Sequence, residues 1–290
     1  MKLRLVPTAL VVLALGLAAA CGGDDTGPAS PSSESTLPPV DEPAGYAHAT
    51  GADDVVFSYA EVGGFTTREF AFQRTPNLLV SGDGRAFSPG AQIAIYPGPL
   101  LPAVQVQAIT EAGIQGLLAA ADEAGLLADV EYEQPTNIAD ATTARVEINV
   151  DGETFVHEAY ALGIGGPGPD GESTPERQAL ATFIASLGDL PSLVGADNVG
   201  ETELFEAAEY AIEALPVDDL SLFGSDGIEP TVQDWPSEVS VRLAEATECT
   251  VVPAADVGEV LAAANQLTFF DDAGVTYQVL ARPVLPGSAC

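Results

Sequence analysis

The stretch Thr143–Tyr160 most constrains what this chain can fold into. Val146, Ile148 and Val150 alternate with Arg145, Glu147 and Asn149, and Asp151-Gly152 separates them from a second run. Alternation with a period of two puts successive side chains on opposite faces of a strand. An Asp-Gly pair tolerates the positive φ angles of a tight two-residue turn. The reading is a hairpin with Ile148 opposite Phe155, Val146 opposite His157 and Arg145 opposite Glu158. One face is mostly apolar, and the other carries a matched charge pair.

Other segments add strands and helices. Val55–Tyr59 reads as a strand, with Gly63-Gly64 as a break after it. Leu78–Val80 enters another, and Asp83-Gly84 turns it back. Ile93–Tyr96 reads as a further short strand before Pro97, Pro99 and Pro102 interrupt. Thr110 can cap a helix to about Ala124, because Ile114, Leu117, Leu118 and Ala121 share one helical face and Gly125 suits its end. Ser173-Thr174-Pro175-Glu176 opens a second helix with Leu180, Phe183, Ile184 and Leu187 as its stripe, closed by Gly188. Residues 201–215 are ambiguous between helix and strand. Val239–Leu243, Thr250–Val252 and Val275–Ala281 read as strands, and Asp256–Asn265 reads as a helix. The expected class is α+β: antiparallel sheets with helices packed on one face. A helix followed by strands in both halves hints at two similar units, an N-terminal domain at 53–190 and a C-terminal domain at 191–290.

The chain begins with Lys2 and Arg4, an apolar run Ala9–Leu17 and then Ala18-Ala19-Ala20. That order describes a secretory signal at 1–20. Cys21 follows at once, and the junction resembles the lipobox of bacterial lipoproteins. The resemblance implies cleavage before Cys21 and its lipidation. Ala18 stands where lipoboxes favour leucine, and three alanines also suit ordinary cleavage and release. The apolar run is too short for the roughly 20 residues of a membrane-spanning helix. Residues 21–52, the lipidated cysteine and a tether, are rich in Gly, Pro, Ser and acids, so the expectation is a disordered spacer with structure starting near Asp53. With Cys21 lipidated, Cys249 and Cys290 remain as one pair, expected as a disulfide in an oxidising compartment.

Without the signal the chain has 7 arginines, no lysine and 43 acids, a formal charge near −36. Phosphate neutralisation needs basic patches, so nucleic acid is excluded as a partner. The missing lysine excludes a Walker-A lysine, a Ser–Lys nucleophile and a Schiff base. Gly163-Ile164-Gly165-Gly166-Pro167-Gly168 matches a dinucleotide fingerprint in letters only; prolines follow where a helix must open. His48 lies beside the tether, and His157 on an apolar face reads as a packed residue. Gly224-Ser225-Asp226-Gly227 lacks the glycine spacing of a nucleophile elbow. Asp170-Gly171-Glu172-Ser173 and Asp271-Asp272-Ala273-Gly274 lack the alternating oxygen ligands of an EF-hand and read as solvated turns. No catalytic residue, cofactor or metal site is expected, although 43 acids leave room for a carboxylate pair.

Several short segments carry a family likeness. They are Gly63-Gly64-Phe65, Gly82-Asp83-Gly84, Tyr96-Pro97-Gly98-Pro99-Leu100-Leu101-Pro102, Val150-Asp151-Gly152 and the tail from Arg282 to Cys290. Together they resemble a set of actinobacterial secreted lipoproteins to which no activity is assigned. Residues 55–187 are also similar in order to emfourin-type metalloprotease inhibitors: a Gly-Gly-Phe turn, a helix, then an Asp-Gly hairpin. These resemblances imply a lipid-anchored envelope protein on the extracytoplasmic face of the cell membrane. The expected role is a non-enzymatic binding module with an envelope protein as partner; the alternatives are a secreted hydrolase using acidic residues or an inhibitor-like protein.

Overall fold

The structure is a computed structural model that describes residues 45–164, 173–224, 227–288 and 290. The signal, Cys21, most of the tether, Asp170-Gly171-Glu172 and Ser225-Asp226 lie outside the described residues, as do the last four positions of the Gly163–Gly168 run. Gly45–Cys290 forms one compact unit with an α+β fold. In chain order it contains β1 (Val55–Gly63), α1 (Arg68–Gln73), β2 (Leu78–Ser81), β3 (Arg85–Pro89), β4 (Val104–Ile109) and α2 (Glu111–Glu123). β5 (Thr142–Val150), β6 (Glu153–Tyr160), α3 (Pro175–Ser186), α4 (Leu190–Val194), β7 (Val199–Leu204) and β8 (Glu209–Pro216) follow. β9 (Thr231–Asp234), β10 (Thr250–Pro253), α5 (Ala254–Ala263), β11 (Thr268–Asp272) and β12 (Val275–Pro283) complete it.

The hairpin forms in the expected register. β5 pairs with β6 with Arg145 opposite Glu158, Val146 opposite His157 and Ile148 opposite Phe155. Asp151 and Gly152 have φ of 54° and 78°, the left-handed pair a two-residue turn requires. This hairpin leads a seven-stranded sheet in the order β6-β5-β1-β2-β3-β4-β7, every neighbour antiparallel. A register shift between Val55 and Phe57 lets two consecutive residues, Val56 and Phe57, enter the same core.

Helix α2 starts where Thr110 Oγ1 accepts the Gly113 amide, and it buries Ile114, Leu117, Leu118 and Ala121, the four residues its pattern nominates. Gly125 ends it at φ 76°, donating to the Asp122 carbonyl. Helix α3 is capped by Thr174, has Pro175 in its first turn, and buries Leu180 and Phe183. Both helices cover one face of the first sheet, where Phe57, Leu118, Ile148 and Leu180 form the core. Each such side chain contributes roughly 1.5–3 kcal/mol over an exposed one.

The second sheet runs β10-β8-β12-β11-β9 and packs on α5 through Ile212, Trp235, Leu243, Leu261 and Phe270. It is mixed, whereas the sequence suggests antiparallel sheets: β9 runs parallel to β11. The connection between them contains β10 and α5, long enough for a crossover back in the same direction. The two sheets differ in strand number and order. A disulfide joins Cys249, just before β10, to Cys290.

Four sequence expectations meet a different structure. Ile93–Tyr96 is a loop, not a strand, and β4 takes the pairing beside β3. Val239–Leu243 is irregular and runs into a 3-10 turn at Leu243–Glu245; Val239 is buried by a coil that Trp235 Nε1 pins by donating to the Val241 carbonyl. Residues 201–215 supply two strands, one to each sheet, so β7 joins the first sheet although it lies past residue 190. Order also begins before Asp53. The Tyr46 amide donates to Gln115 Oε1, Gln115 Nε2 donates to the Tyr46 carbonyl, and the Tyr46 hydroxyl donates to Asp122. These contacts depend on side chains about 70 residues away, which periodicity in the tether does not reveal.

Candidate functional site

Acid chemistry needs a desolvated, unneutralised carboxylate, so the buried acids come first. Among the described residues these are Glu213 on β8 and Asp272 on β11. Arg68 pairs with Glu213. Arg242 pairs with Asp272, whose other oxygen accepts the Leu243 amide at 2.8 Å. Each acid therefore has its own guanidinium. Asp272 is a buried anchor for the Leu243 turn rather than the solvated turn residue expected of Asp271-Asp272. Its neighbour Asp271 accepts the Gly274 amide and closes the β11–β12 turn. Among the described residues no group of three metal-ligating side chains comes together.

His157 is packed, as its place on the apolar face implies. Its Nε2 lies 2.8 Å from the Leu126 carbonyl, and its Nδ1 lies 2.9 Å from the Tyr132 hydroxyl. A carbonyl only accepts, so the proton sits on Nε2 and Tyr132 donates to Nδ1. Burial pushes the imidazole pKa down, and burial followed by the Glu176 charge pushes the Tyr132 phenol up to about 12. Both rings stay neutral. His48 meets the exposed Glu111 at 3.1 Å at the start of the ordered chain. Around Tyr132, Glu131, Glu133 and Glu158 rim a depression of about 590 Å³, but all three acids are exposed.

Two further cavities flank the loop from Gly90 to Ala103. The Gly90 amide donates to the Ala103 carbonyl and closes the loop at the end of the β3–β4 hairpin. Its second half is pinned to the second sheet's layer. Leu100 is buried in that core and its amide donates to Ala264; Gly98 exchanges two hydrogen bonds with Gln266. Gln73 Nε2 on α1 donates to the Leu100 carbonyl at 2.7 Å. The first half points outward, with Ile93 66%, Ile95 58% and Tyr96 51% exposed.

A cavity opens on each side of this loop. One, about 630 Å³, is bounded by Glu61, Phe70, Arg74, Asn77, Gln92 and Gln266. The Glu61 carboxylate there accepts the Tyr59 hydroxyl at 2.7 Å and the Thr142 hydroxyl at 2.5 Å. Burial, and then Glu61, push the Tyr59 phenol pKa up, so it remains a donor. The other cavity, about 430 Å³, is apolar, with Ile93, Leu101, Val104, Leu204, Phe205 and Tyr210 on its walls. Gln92, Pro99, Pro102 and Ala103 border both. The loop therefore has an apolar trough on one side and, on the other, a trough that also holds Glu61, Arg74, Asn77, Gln92 and Gln266.

Sequence reasoning did not nominate this cleft. Its walls come from both sheets' layers, and the only local sign was the cluster of prolines and glycines at 97–102. Cys249 and Cys290 are bonded to each other, and neither borders the two cavities. Cys21 lies outside the described residues. No protein-family model matches the chain, and no curated protein or solved structure matches it.

Proposed function

We propose that the chain is a cell-envelope lipoprotein whose folded part is a non-enzymatic binding module, held at the extracytoplasmic face of the membrane through Cys21. The charged, apolar and small-residue order of Met1–Ala20 before Cys21 supports the anchor. The Cys249–Cys290 disulfide suits an oxidising compartment. The observation that carries the binding role is exposed apolar surface at the cleft: Ile93 and Leu204 stand exposed on the walls of the apolar cavity, and Ile95 and Tyr96 stand exposed further along the same loop as Ile93. Exposed apolar side chains gathered at a cleft mark interaction surfaces. The arginine pairing of Glu213 and Asp272 weighs against the hydrolase alternative, because neutralised acids make poor proton donors or nucleophiles.

The test has two readouts in the same cells. A photo-crosslinking residue at Ile95 yields a discrete adduct with an envelope protein, and one at Val275 does not. The Cys21→Ala chain leaves the detergent phase. Equal labelling from both positions removes the binding reading, and unchanged partitioning removes the anchor.

The inhibitor-like alternative rests on one observation. Gly63 and Gly64 have φ of 69° and 81°, the Phe65 amide donates to the Asp140 carbonyl, and the Phe65 side chain is 90% exposed on that turn. A projecting aromatic on a fixed turn suits insertion into a protease subsite. Metalloprotease inhibition that disappears with Phe65→Ala supports it; no inhibition by the intact chain ends it.

A further inference from the structure

We infer that the cavity between the end of α1 and the C-terminal tail is an anion site, taking a carboxylate or phosphate group that carries a short apolar substituent. The cavity measures about 270 Å³ and is bounded by Phe72, Arg74, Thr75, Arg282, Leu285 and Ser288, among others, with no acid on its walls among the described residues. That is unusual for a chain of formal charge −34. Arg68, Arg85, Arg145 and Arg242 each pair with a carboxylate. Arg177 is buried against the Glu133 and Tyr160 carbonyls. Arg74 and Arg282 have no carboxylate within 4.0 Å among the described residues, and both border this one cavity.

Each of the two is positioned by a single nitrogen. Arg74 Nη1 donates to the Glu61 and Gly63 carbonyls, and its guanidinium lies 5.2 Å from the Phe70 ring. Arg282 Nη1 donates to the Ser288 carbonyl, and its guanidinium lies 5.7 Å from the Phe72 ring. A guanidinium carries five N–H donors in a planar fork that matches carboxylate and phosphate oxygens. The remaining nitrogens of both are neither bonded to described groups nor sealed inside the protein. Burial pushes the Arg282 pKa down, as expected of a cation short of a counter-charge. Phe72, Pro76, Pro283 and Leu285 supply the apolar wall.

The inference goes beyond the cleft reading; Arg74 borders both cavities, but crosslinking from Ile95 and titration with butanoate read them separately, so either can fail alone. The test is calorimetric titration of the full chain in detergent at 0.15 M salt, where repulsion from remote acids is largely screened. The probes are butanoate, its neutral analogue butanamide, acetate and inorganic phosphate. One equivalent of butanoate binds at least tenfold more tightly than acetate, and butanamide gives no heat. Arg74→Gln and Arg282→Gln each weaken butanoate at least tenfold, while Arg85→Gln leaves it unchanged. Inorganic phosphate, which has no apolar substituent, binds more weakly than butanoate; phosphate binding more tightly overturns the inference. Should Arg282→Gln lose the fold with its tie to the tail, Arg74→Gln with a wild-type melting curve decides the matter. Equal binding of butanamide, undiminished binding by folded Arg74→Gln, acetate matching butanoate, or no binding of any anion overturns the inference.

Discussion

The first sheet is held mainly by local hairpins, and the second by ties between residues far apart in sequence. In the first sheet, β5 and β6 are separated by a two-residue turn, and β2, β3 and β4 follow one another in space as in sequence. In the second sheet β8 lies between β10 and β12, and β9 reaches β11 only after a crossover. It also contains the Cys249–Cys290 disulfide and two arginine-paired buried acids. Local pairing needs little loop closure, whereas distant pairing orders long connections before its contacts form. The second region therefore uses covalent and ionic fixtures where the first relies on turn chemistry and a helix-covered core.

The largest expected effect breaks the covalent fixture. Replacing Cys249 and Cys290 together by serine removes a link spanning a sequence separation of 41 residues. Chain entropy puts the loss at roughly 3–4 kcal/mol. Hydrogen exchange by mass spectrometry places it: amides of β8, β10 and β12 exchange faster, and those of β5 and β6 hardly change. Uniform acceleration across both sheets would erase the distinction drawn between them.

The ionic fixture comes next. Arg242→Met leaves Asp272 buried with only the Leu243 amide for company, at a cost of about 3 kcal/mol. The matching change in the first sheet, Arg145→Met, breaks pairs with Glu147 and Glu158 at the surface and shifts stability by only about 0.5 kcal/mol. Denaturant unfolding of both variants gives the two numbers. Adding Asp272→Leu to Arg242→Met restores most of the loss; no recovery would mean the pair is not what the arginine stabilises.

These contrasts explain what could be read from the chain itself. The β5–β6 register was legible residue by residue because alternation and the Asp151-Gly152 turn lie within 18 residues. Helix α2 was legible because Thr110, its apolar stripe and Gly125 are contiguous. Ile93–Tyr96 looked like a strand because short apolar runs read alike whether paired or not; its neighbours Gly98 and Leu100 are held instead by Gln266 and Ala264. Val239–Leu243 failed for the same reason, its burial coming from Trp235 and α5 rather than from a ladder. The cleft was invisible because its walls are brought together only by the fold. That Arg74 and Arg282 have no carboxylate partner among the described residues could be read only from the fold.

A smaller effect tests whether the first core depends on polar fixtures too. His157→Leu strands the Tyr132 hydroxyl and the Leu126 carbonyl, costing about 2 kcal/mol. The pH dependence has a defined sign. Above the ordinary imidazole value of about 6.5 the ring is neutral in both states, and pH does nothing through it. As pH falls below that value the unfolded ring takes a proton first, because burial holds the folded pKa lower, and the folded state loses stability down to the folded pKa. His157→Gln cannot titrate. Its melting-temperature gap from the parent chain is constant above about pH 6.5 and shifts in favour of the variant as pH falls below that value. A gap that stays constant below that value would show that burial does not disfavour proton uptake by His157 in the fold.

The smallest effect goes to the turn on which the whole contrast rests. Gly152 sits at φ 78° with nothing within 4 Å of where a Cβ would be, so Gly152→Ala adds backbone strain without a clash. Left-handed backbone costs a residue with a Cβ roughly 1 kcal/mol. If turn chemistry governs the first sheet, that loss appears chiefly as slower folding, because a turn already formed in the transition state changes the folding rate and not the unfolding rate. Stopped-flow refolding separates the cases. A slower folding arm with an unchanged unfolding arm places the turn in the folding nucleus. An unchanged folding arm with faster unfolding would mean that the hairpin closes late, and that the first sheet, like the second, is assembled by contacts distant in sequence.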